Sequence, residues 1–345
     1  MSTVVAAALL LAIVLYAVFA GADFGVGFWD LFAGGARRGE EPREVIARAI
    51  GPVWEANHVW LIFIFVVLWT AFPEAYASIW LTLFVPFTIA ALGIVLRGAG
   101  FAFRKTVTRT RYRRLLGAAF AIPSVIVPYC MGAVAGAVAS GRVPAGGRAG
   151  DPVNSWINPT STIGGVLAVA VTAYLASVYL VHDAGRLGDD TMVEYFRRRA
   201  VSAATVTGIV SIAGIFVFAA DATYLASGLT SRALPVVALS VVCGTSSLVL
   251  LMRNTHRAAR LSAVAAVAAI VVAWGVAQWD YILPETLTID QAAAPAGTLG
   301  ALAVATVLLV VIVVPSFALL YRLDQRGLLP EEGVDDTTIG TSAPR

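Results

Sequence analysis

The sequence predicts an all-α integral membrane protein with nine transmembrane helices, and three observations carry that prediction. Hydrophobic residues make up 59% of the 345-residue chain and charged residues only 13%, about half the charged share of a soluble domain. The apolar residues gather into nine runs, each long enough, at about 17–25 residues, to cross a bilayer as a helix. The charged residues fall in short blocks between those runs. The net charge of +3 is small, and its placement speaks for membrane topology rather than for nucleic-acid binding.

The runs lie near 4–22, 52–72, 77–96, 115–139, 161–181, 200–220, 233–252, 261–279 and 298–321. The first has no basic segment before it and no small-residue cleavage site followed by a polar domain. It reads as a retained helix rather than a signal peptide, and it could continue past Asp23 to Trp29. Only Phe72-Pro73-Glu74-Ala75 separates the second run from the third. One alternating set of connections holds almost all of the 24 Lys and Arg residues. It takes Arg37, Arg38, Arg43 and Arg48, then Arg97 to Arg114 with Lys105. It continues with Arg186 and Arg197 to Arg199, then Arg253, Arg257 and Arg260, and ends with Arg322, Arg326 and Arg345 in the tail. The opposite connections hold only Arg142, Arg148 and Arg232. That bias places the N-terminus outside and the C-terminus in the cytoplasm, and the alternation requires an odd number of crossings. Residues 1–330 therefore form one polytopic domain. Residues 331–345, acidic and then rich in Thr, Ser and Gly, form a disordered cytoplasmic tail.

Chemistry concentrates near the start of the second run, in Ile50-Gly51-Pro52-Val53-Trp54-Glu55-Ala56-Asn57-His58-Val59-Trp60-Leu61. Ionisable groups at membrane depth are costly, and a chain that keeps them there does so, as a rule, for function. On a helix Glu55 and His58 are three residues apart and share a face, with Trp54 four before His58, while Asn57 points elsewhere. Pro52 suits a first helical turn. The helix dipole favours an ionised Glu55 there and partial burial opposes it, so the carboxyl is poised to load and release protons. His58 can do the same. Each has a bland alternative: Glu55 as a helix-capping surface acid, His58 as an interface residue with its hydrogen bonds satisfied.

A second acid, Asp23, sits in Gly21-Ala22-Asp23-Phe24-Gly25-Val26-Gly27-Phe28. Gly21 and Gly25 have the spacing that lets another helix approach closely. An acid in such a face needs a partner, and Arg97 at the end of the third run is a candidate. Asp23 serves either proton transfer or helix packing through that pair. His182-Asp183 and His256, among arginines at cytoplasmic helix ends, read as solvated or lipid-facing, and Asp221 with Tyr224 as an interfacial cap and anchor. The apolar, aromatic and acidic loop 278–295 packs on the protein's outer face or on a partner. Cys130 and Cys243 lie in apolar runs without CxxC spacing, so no disulfide, iron–sulfur or zinc site is expected. Haem ligation calls for axial groups at depth; only His58 is placed for it, and no second ligand is evident. No phosphate loop, nucleophile elbow or metalloprotease motif is present.

These motifs, taken in order, closely resemble subunit II of the cytochrome bd quinol oxidases. The resemblance runs through Gly21 to Gly27, Gly51 to Leu61 and Ala71-Phe72-Pro73-Glu74-Ala75-Tyr76-Ala77. It continues in Leu96-Arg97-Gly98-Ala99-Gly100-Phe101-Ala102-Phe103-Arg104, in Leu283-Pro284, Leu287-Thr288 and Ala292-Ala293-Ala294-Pro295, and ends in Val314-Pro315-Ser316 and Leu320-Tyr321. It implies two four-helix bundles plus one peripheral helix, in the plasma membrane of a bacterium. It implies a heterodimer with subunit I, which holds two b-type haems and one d-type haem and oxidises quinol, ubiquinol or menaquinol, and it leaves room for a small single-helix accessory subunit. This chain then has no catalytic residue and no metal of its own. It supports subunit I and supplies a cytoplasmic proton route through Glu55 and Asp23, with Trp54, Asn57 and Arg97 as polar support; His58, by its own chemistry and not by the resemblance, adds a protonatable site beside them. The chain departs from the commoner pattern with Glu at 55, Ala at 56 and His at 58, where Asp, Gly and an amide are frequent. Two other readings stay open: a proton-coupled secondary transporter, and a scaffold in which the acids are structural.

Overall fold

The computed structural model describes residues 1–35, 39–49, 53–104, 107 and 110–325, all but the side chains of 49, 53–56, 104, 110, 111, 113, 317, 321, 324 and 325. The tail 331–345 therefore lies outside the described residues. The chain is built of helices: α1 (Ser2–Leu31), α2 (Glu40–Ala49), α3 (Val53–Ala71), α4 (Pro73–Thr82), α5 (Phe84–Arg104), α6 (Thr110–Ala121), α7 (Pro123–Ala139), α8 (Pro159–Arg186), α9 (Asp190–Asp221), α10 (Thr223–Thr230), α11 (Leu234–Met252) and α12 (His256–Ala277). A two-stranded hairpin, β1 (Tyr281–Leu283) and β2 (Leu287–Thr288), then α13 (Ile289–Ala292) and α14 (Ala296–Gln325), complete it. Among the described residues eight helices are long and apolar enough to cross a membrane, and the apolar part of α3, Asn57–Ala71, is shorter. Apolar length alone dictates this, because in hydrocarbon every backbone polar group must be satisfied within its own helix.

Helix α1 runs unbroken for 30 residues, so the first run does pass Asp23. It is the hub of the fold, touching α3, α7, α8, α12 and α14. Its glycine face meets α8: a Cβ on Gly25 would lie 1.9 Å from the Thr172 carbonyl oxygen, and one on Gly21 3.3 Å from Leu175. Helices α7 and α8 cross in the same way, with Gly132 against Gly164. In a solvent as apolar as the side chains, close backbone approach is what holds helices together. Helix α14 touches α1 and α3 and leaves most of its apolar side chains uncovered, from Val304 to Leu319.

The third run, expected near 77–96, needs correction. It is two helices, α4 ending at Thr82 and α5 running from Phe84 to Arg104. Proline explains both breaks. Phe72 takes φ −135° and ψ 61° ahead of Pro73, which opens α4 at its first position, as the residue before proline avoids helical dihedrals. The kink at Leu83 sits three residues before Pro86, whose ring conflicts with the Thr82 carbonyl and offers it no N–H. Helix α9 ends likewise, at Ala222 with φ −138° and ψ 65°, followed by the short α10. The two matching breaks both lie at the end of the molecule away from the arginine blocks.

At that end loop 278–295 folds back on this chain. Leu283, Leu287, Ile289 and Ala292 are buried with Val5, Ala71 and Ala75, and the Ala294 N–H donates to the Ala71 carbonyl at 2.8 Å. Asp221 does more than cap. Its carboxylate accepts two hydrogen bonds from Arg142, at 3.1 and 2.6 Å, and two from Thr160, tying the ends of α7, α8 and α9. At the basic end His182 is buried rather than solvated or lipid-facing, because α8 is covered there by α12 and α9.

Candidate functional site

Asp23 and Arg97 form the most deeply buried ion pair among the described residues. Helix α5 passes close to α6 and α7: a Cβ on Gly93 would lie 2.6 Å from Val127, and one on Gly100 2.8 Å from the Leu116 carbonyl. That approach delivers the Arg97 side chain, 2% exposed, to the inner face of α1. Arg97 NH1 donates to Asp23 Oδ2 at 2.9 Å and NH2 to Oδ1 at 2.7 Å. NH2 also reaches the Asp23 carbonyl, and Nε donates to Ser124 Oγ, each at 2.9 Å. Ser124 Oγ passes a hydrogen bond on to the Phe120 carbonyl. The rings of Phe24 and Phe120 cover the guanidinium, each centroid 4.8 Å from its central carbon. A planar guanidinium fits a carboxylate edge in this two-pronged way and stacks on aromatic faces, which a lysine ammonium cannot do. The expected Asp23–Arg97 partnership is therefore present, and it fastens α1, α5 and α7 together.

Helix α3 brings the second half of the motif to α1. Its inward stripe runs through Asn57, Trp60, Leu61, Val67 and Ala71, the spacing of one helical face. Asn57 Nδ2 donates to the Phe19 carbonyl at 3.4 Å, one turn of α1 from Asp23. Its Oδ1 is buried and has no hydrogen-bond partner among the described residues. The Tyr16 hydroxyl, two turns along α1 from Asp23, is in the same state. His58 is half-buried beside Asn57. The side chains of Trp54 and Glu55 lie outside the described residues; their backbone belongs to the first turn of α3.

One acid escaped the sequence reading. Asp30 is buried at the basic end of α1, where its carboxylate accepts from Arg43 Nε at 2.8 Å while the Arg43 NH2 group donates to the Gly34 carbonyl at 2.7 Å. A signal existed: Tyr16, Asp23 and Asp30 are seven residues apart, and that period keeps one face of a helix. The arrangement is a polar seam within apolar helices. It runs from Asp30 at the basic end, through the Asp23–Arg97 fork, to the Asn57 and Tyr16 oxygens, which have no partner among the described residues. Buried oxygens without protein partners are where ordered water is held, and acids joined by water can pass protons.

Among the described residues no group of three or more His, Cys, Asp or Glu could hold a metal ion, and two surface grooves, of about 590 and 500 Å3, are lined by no His, Met or Cys.

Comparison with known proteins gives the seam a setting. Residues 1–324 match the family model described as cytochrome bd terminal oxidase subunit II. The chain is 28% identical over 227 residues to cytochrome bd ubiquinol oxidase subunit 2 of Bacillus subtilis, covering 65% of this chain and 64% of that protein. It is 30% identical over 126 residues to cytochrome bd-I ubiquinol oxidase subunit 2 of Escherichia coli K12, covering 36% of this chain and 32% of that one. The chain thus spans less than two thirds of the length of these curated relatives. Its fold is similar to a chain of the bd oxidase from Geobacillus thermodenitrificans, with TM-score 0.75 and 23% identity over 93% of this chain and 98% of that chain.

Proposed function

Because the chain belongs to the cytochrome bd terminal oxidase subunit II family, we propose that it is the haem-free subunit of a quinol:O2 oxidoreductase, active only together with subunit I. It is a multi-pass protein of the bacterial plasma membrane. Under this reading α3 completes nine crossings, arranged as two four-helix bundles with α14 at their edge. The N-terminus is outside and the arginine-rich end is cytoplasmic. Subunit I carries the two b-type haems and the d-type haem and oxidises quinol, and a small single-helix subunit can join the pair.

The role of this chain is to stabilise subunit I and to take up protons from the cytoplasm. The observation that carries the second role is the polar seam at the basic end, with Asn57 of α3 reaching α1 one turn from the buried Asp23–Arg97 fork. Glu55, two residues before Asn57, is the proton carrier, and His58 is a second protonatable group on the same helix. Asp23 has both carboxylate oxygens engaged by Arg97, so its first task is to fix the three helices around the seam and its second is to complete the route. Oxygen reduction consumes protons; drawing them from the cytoplasm while quinol releases its own outside makes turnover electrogenic.

Glu55→Gln tests this in the complex isolated through a tag on this chain. Oxygen uptake with quinol should fall at least tenfold, with the reduced haem spectrum unchanged. Uptake at the wild-type rate would remove Glu55 from the route. The transporter alternative gains nothing from the structure: transporters break paired helices near the midplane, whereas the matching breaks at Phe72 and Ala222 lie at the end away from the arginines.

A further inference from the structure

We propose that the groove between the basic ends of α1 and α9 is a binding site for an anionic phospholipid, whose phosphate is held by Arg199. The groove encloses about 500 Å3 and is lined by Phe28, Trp29, Phe32, Arg198, Arg199 and Ser202. Three features fit it to that ligand.

The first is charge. Glu194 accepts hydrogen bonds from both Arg197 and Arg198 and offsets one of their two charges. Arg199 pairs with no carboxylate among the described residues. NH1 donates to the Tyr195 carbonyl at 3.3 Å, and the guanidinium lies 3.4 Å from the Tyr195 ring centroid and 5.8 Å from that of Trp29. Stacking fixes the plane and leaves most of its five N–H groups unfilled toward the groove.

The second is depth. Asp221, knotted to Arg142 and Thr160, marks the polar boundary at the far end of α9. Nineteen residues of helix bring the chain back to Ser202, about 29 Å away, and twenty-two bring it to Arg199, about 33 Å away. A hydrocarbon core is about 30 Å thick. Ser202 therefore lies at its edge and Arg199 at the level of the phosphates.

The third is shape. The Trp29 indole is pinned by its N–H to the Ala173 carbonyl at 2.8 Å, and Phe28 and Phe32 pack against each other with centroids 4.8 Å apart. They give an apolar wall along which an acyl chain descends from the phosphate. A basic pocket beside an aromatic wall on the arginine-rich face matches the anionic leaflet of a plasma membrane.

The test is native mass spectrometry of the complex isolated through this chain, titrated with palmitoyl-oleoyl phosphatidylglycerol. The wild type should hold one such lipid more tightly than phosphatidylcholine. Arg199→Gln should weaken that lipid about tenfold, as loss of a charge-assisted contact does. Ser202→Phe should exclude it by filling the groove with the charge intact, and Arg253→Gln, on the same end but outside the groove, should change nothing. Equal phosphatidylglycerol affinity in wild type, Arg199→Gln and Ser202→Phe would overturn the proposal. So would loss of the partner subunit from both groove variants with lipid binding unchanged, which would make the groove a protein interface.

Discussion

Removing one member of the Asp23–Arg97 pair should do more harm than removing both. Asp23→Leu takes away the two side-chain contacts at 2.7 and 2.9 Å and leaves a guanidinium that is 2% exposed. Its remaining partners are the Ser124 hydroxyl and one backbone carbonyl. A buried charge stripped of its counter-ion costs about 3–5 kcal/mol, a loss of roughly two to three and a half orders of magnitude in the folded-to-unfolded ratio. Arg97→Met leaves the opposite charge stranded and should cost about as much. The double variant removes both charges, and replacing a buried pair by apolar groups is about neutral, so the two effects should fail to add by at least ~3 kcal/mol. Heating the purified complex and following the monodisperse fraction by size-exclusion chromatography measures this. Each single variant should aggregate well below the wild type, and the double variant should recover most of the difference. Single variants as heat-resistant as the wild type, or a double variant at the sum of the two losses, would refute the argument. Oxygen uptake by the recovered double variant then separates the two tasks of Asp23: a stable but slow complex places the acid in the proton route, and a stable, fast one leaves it to packing.

Other outcomes follow from the same geometry. Gly25→Val should drive α1 and α8 apart, because even a Cβ would fall 1.9 Å from the Thr172 carbonyl oxygen; a loss of about 1–3 kcal/mol or failed assembly is expected. Gly117→Ala, whose Cβ would meet nothing within 4 Å, should be neutral or slightly stabilising in the same thermal assay. Asp221→Ala removes the acceptor for four hydrogen bonds from Arg142 and Thr160, so limited proteolysis between 140 and 158 should accelerate several-fold while oxygen uptake persists. Asp30→Asn weakens the hold of Arg43 on the basic end of α1. Hydrogen–deuterium exchange in α2 should rise, and unchanged exchange there would show that α2 is held without the Asp30 carboxylate, by the packing of Val45 and Ile46 and by the Arg43 bonds to backbone carbonyls.

The candidate site was only partly legible in sequence. Glu55, Asp23 and Arg97 announce themselves because charge inside an apolar run is rare and costly. Asp30 did not, because it stands where the run ends and charge is ordinary. Asn57 lies off the Glu55–His58 face of α3, yet its side chain donates to a carbonyl of α1. The Glu55–His58 spacing describes a face of α3 without saying which face meets a neighbour.

Run length against bilayer thickness determined from sequence that the chain spans a membrane several times, and the order of its motifs determined its family. Both are properties of segments, read one at a time. Tertiary structure alone decided that the break ahead of Pro86 cuts the third run into α4 and α5, that α8 and not α5 packs on Gly21 and Gly25 of α1, and that His182 is buried. It also decided that loop 278–295 closes on its own chain. The reason is physical: helices in lipid are apolar on every side, so hydropathy cannot mark the faces that meet. Those are chosen by how closely particular glycines, prolines and ring faces allow two backbones to approach.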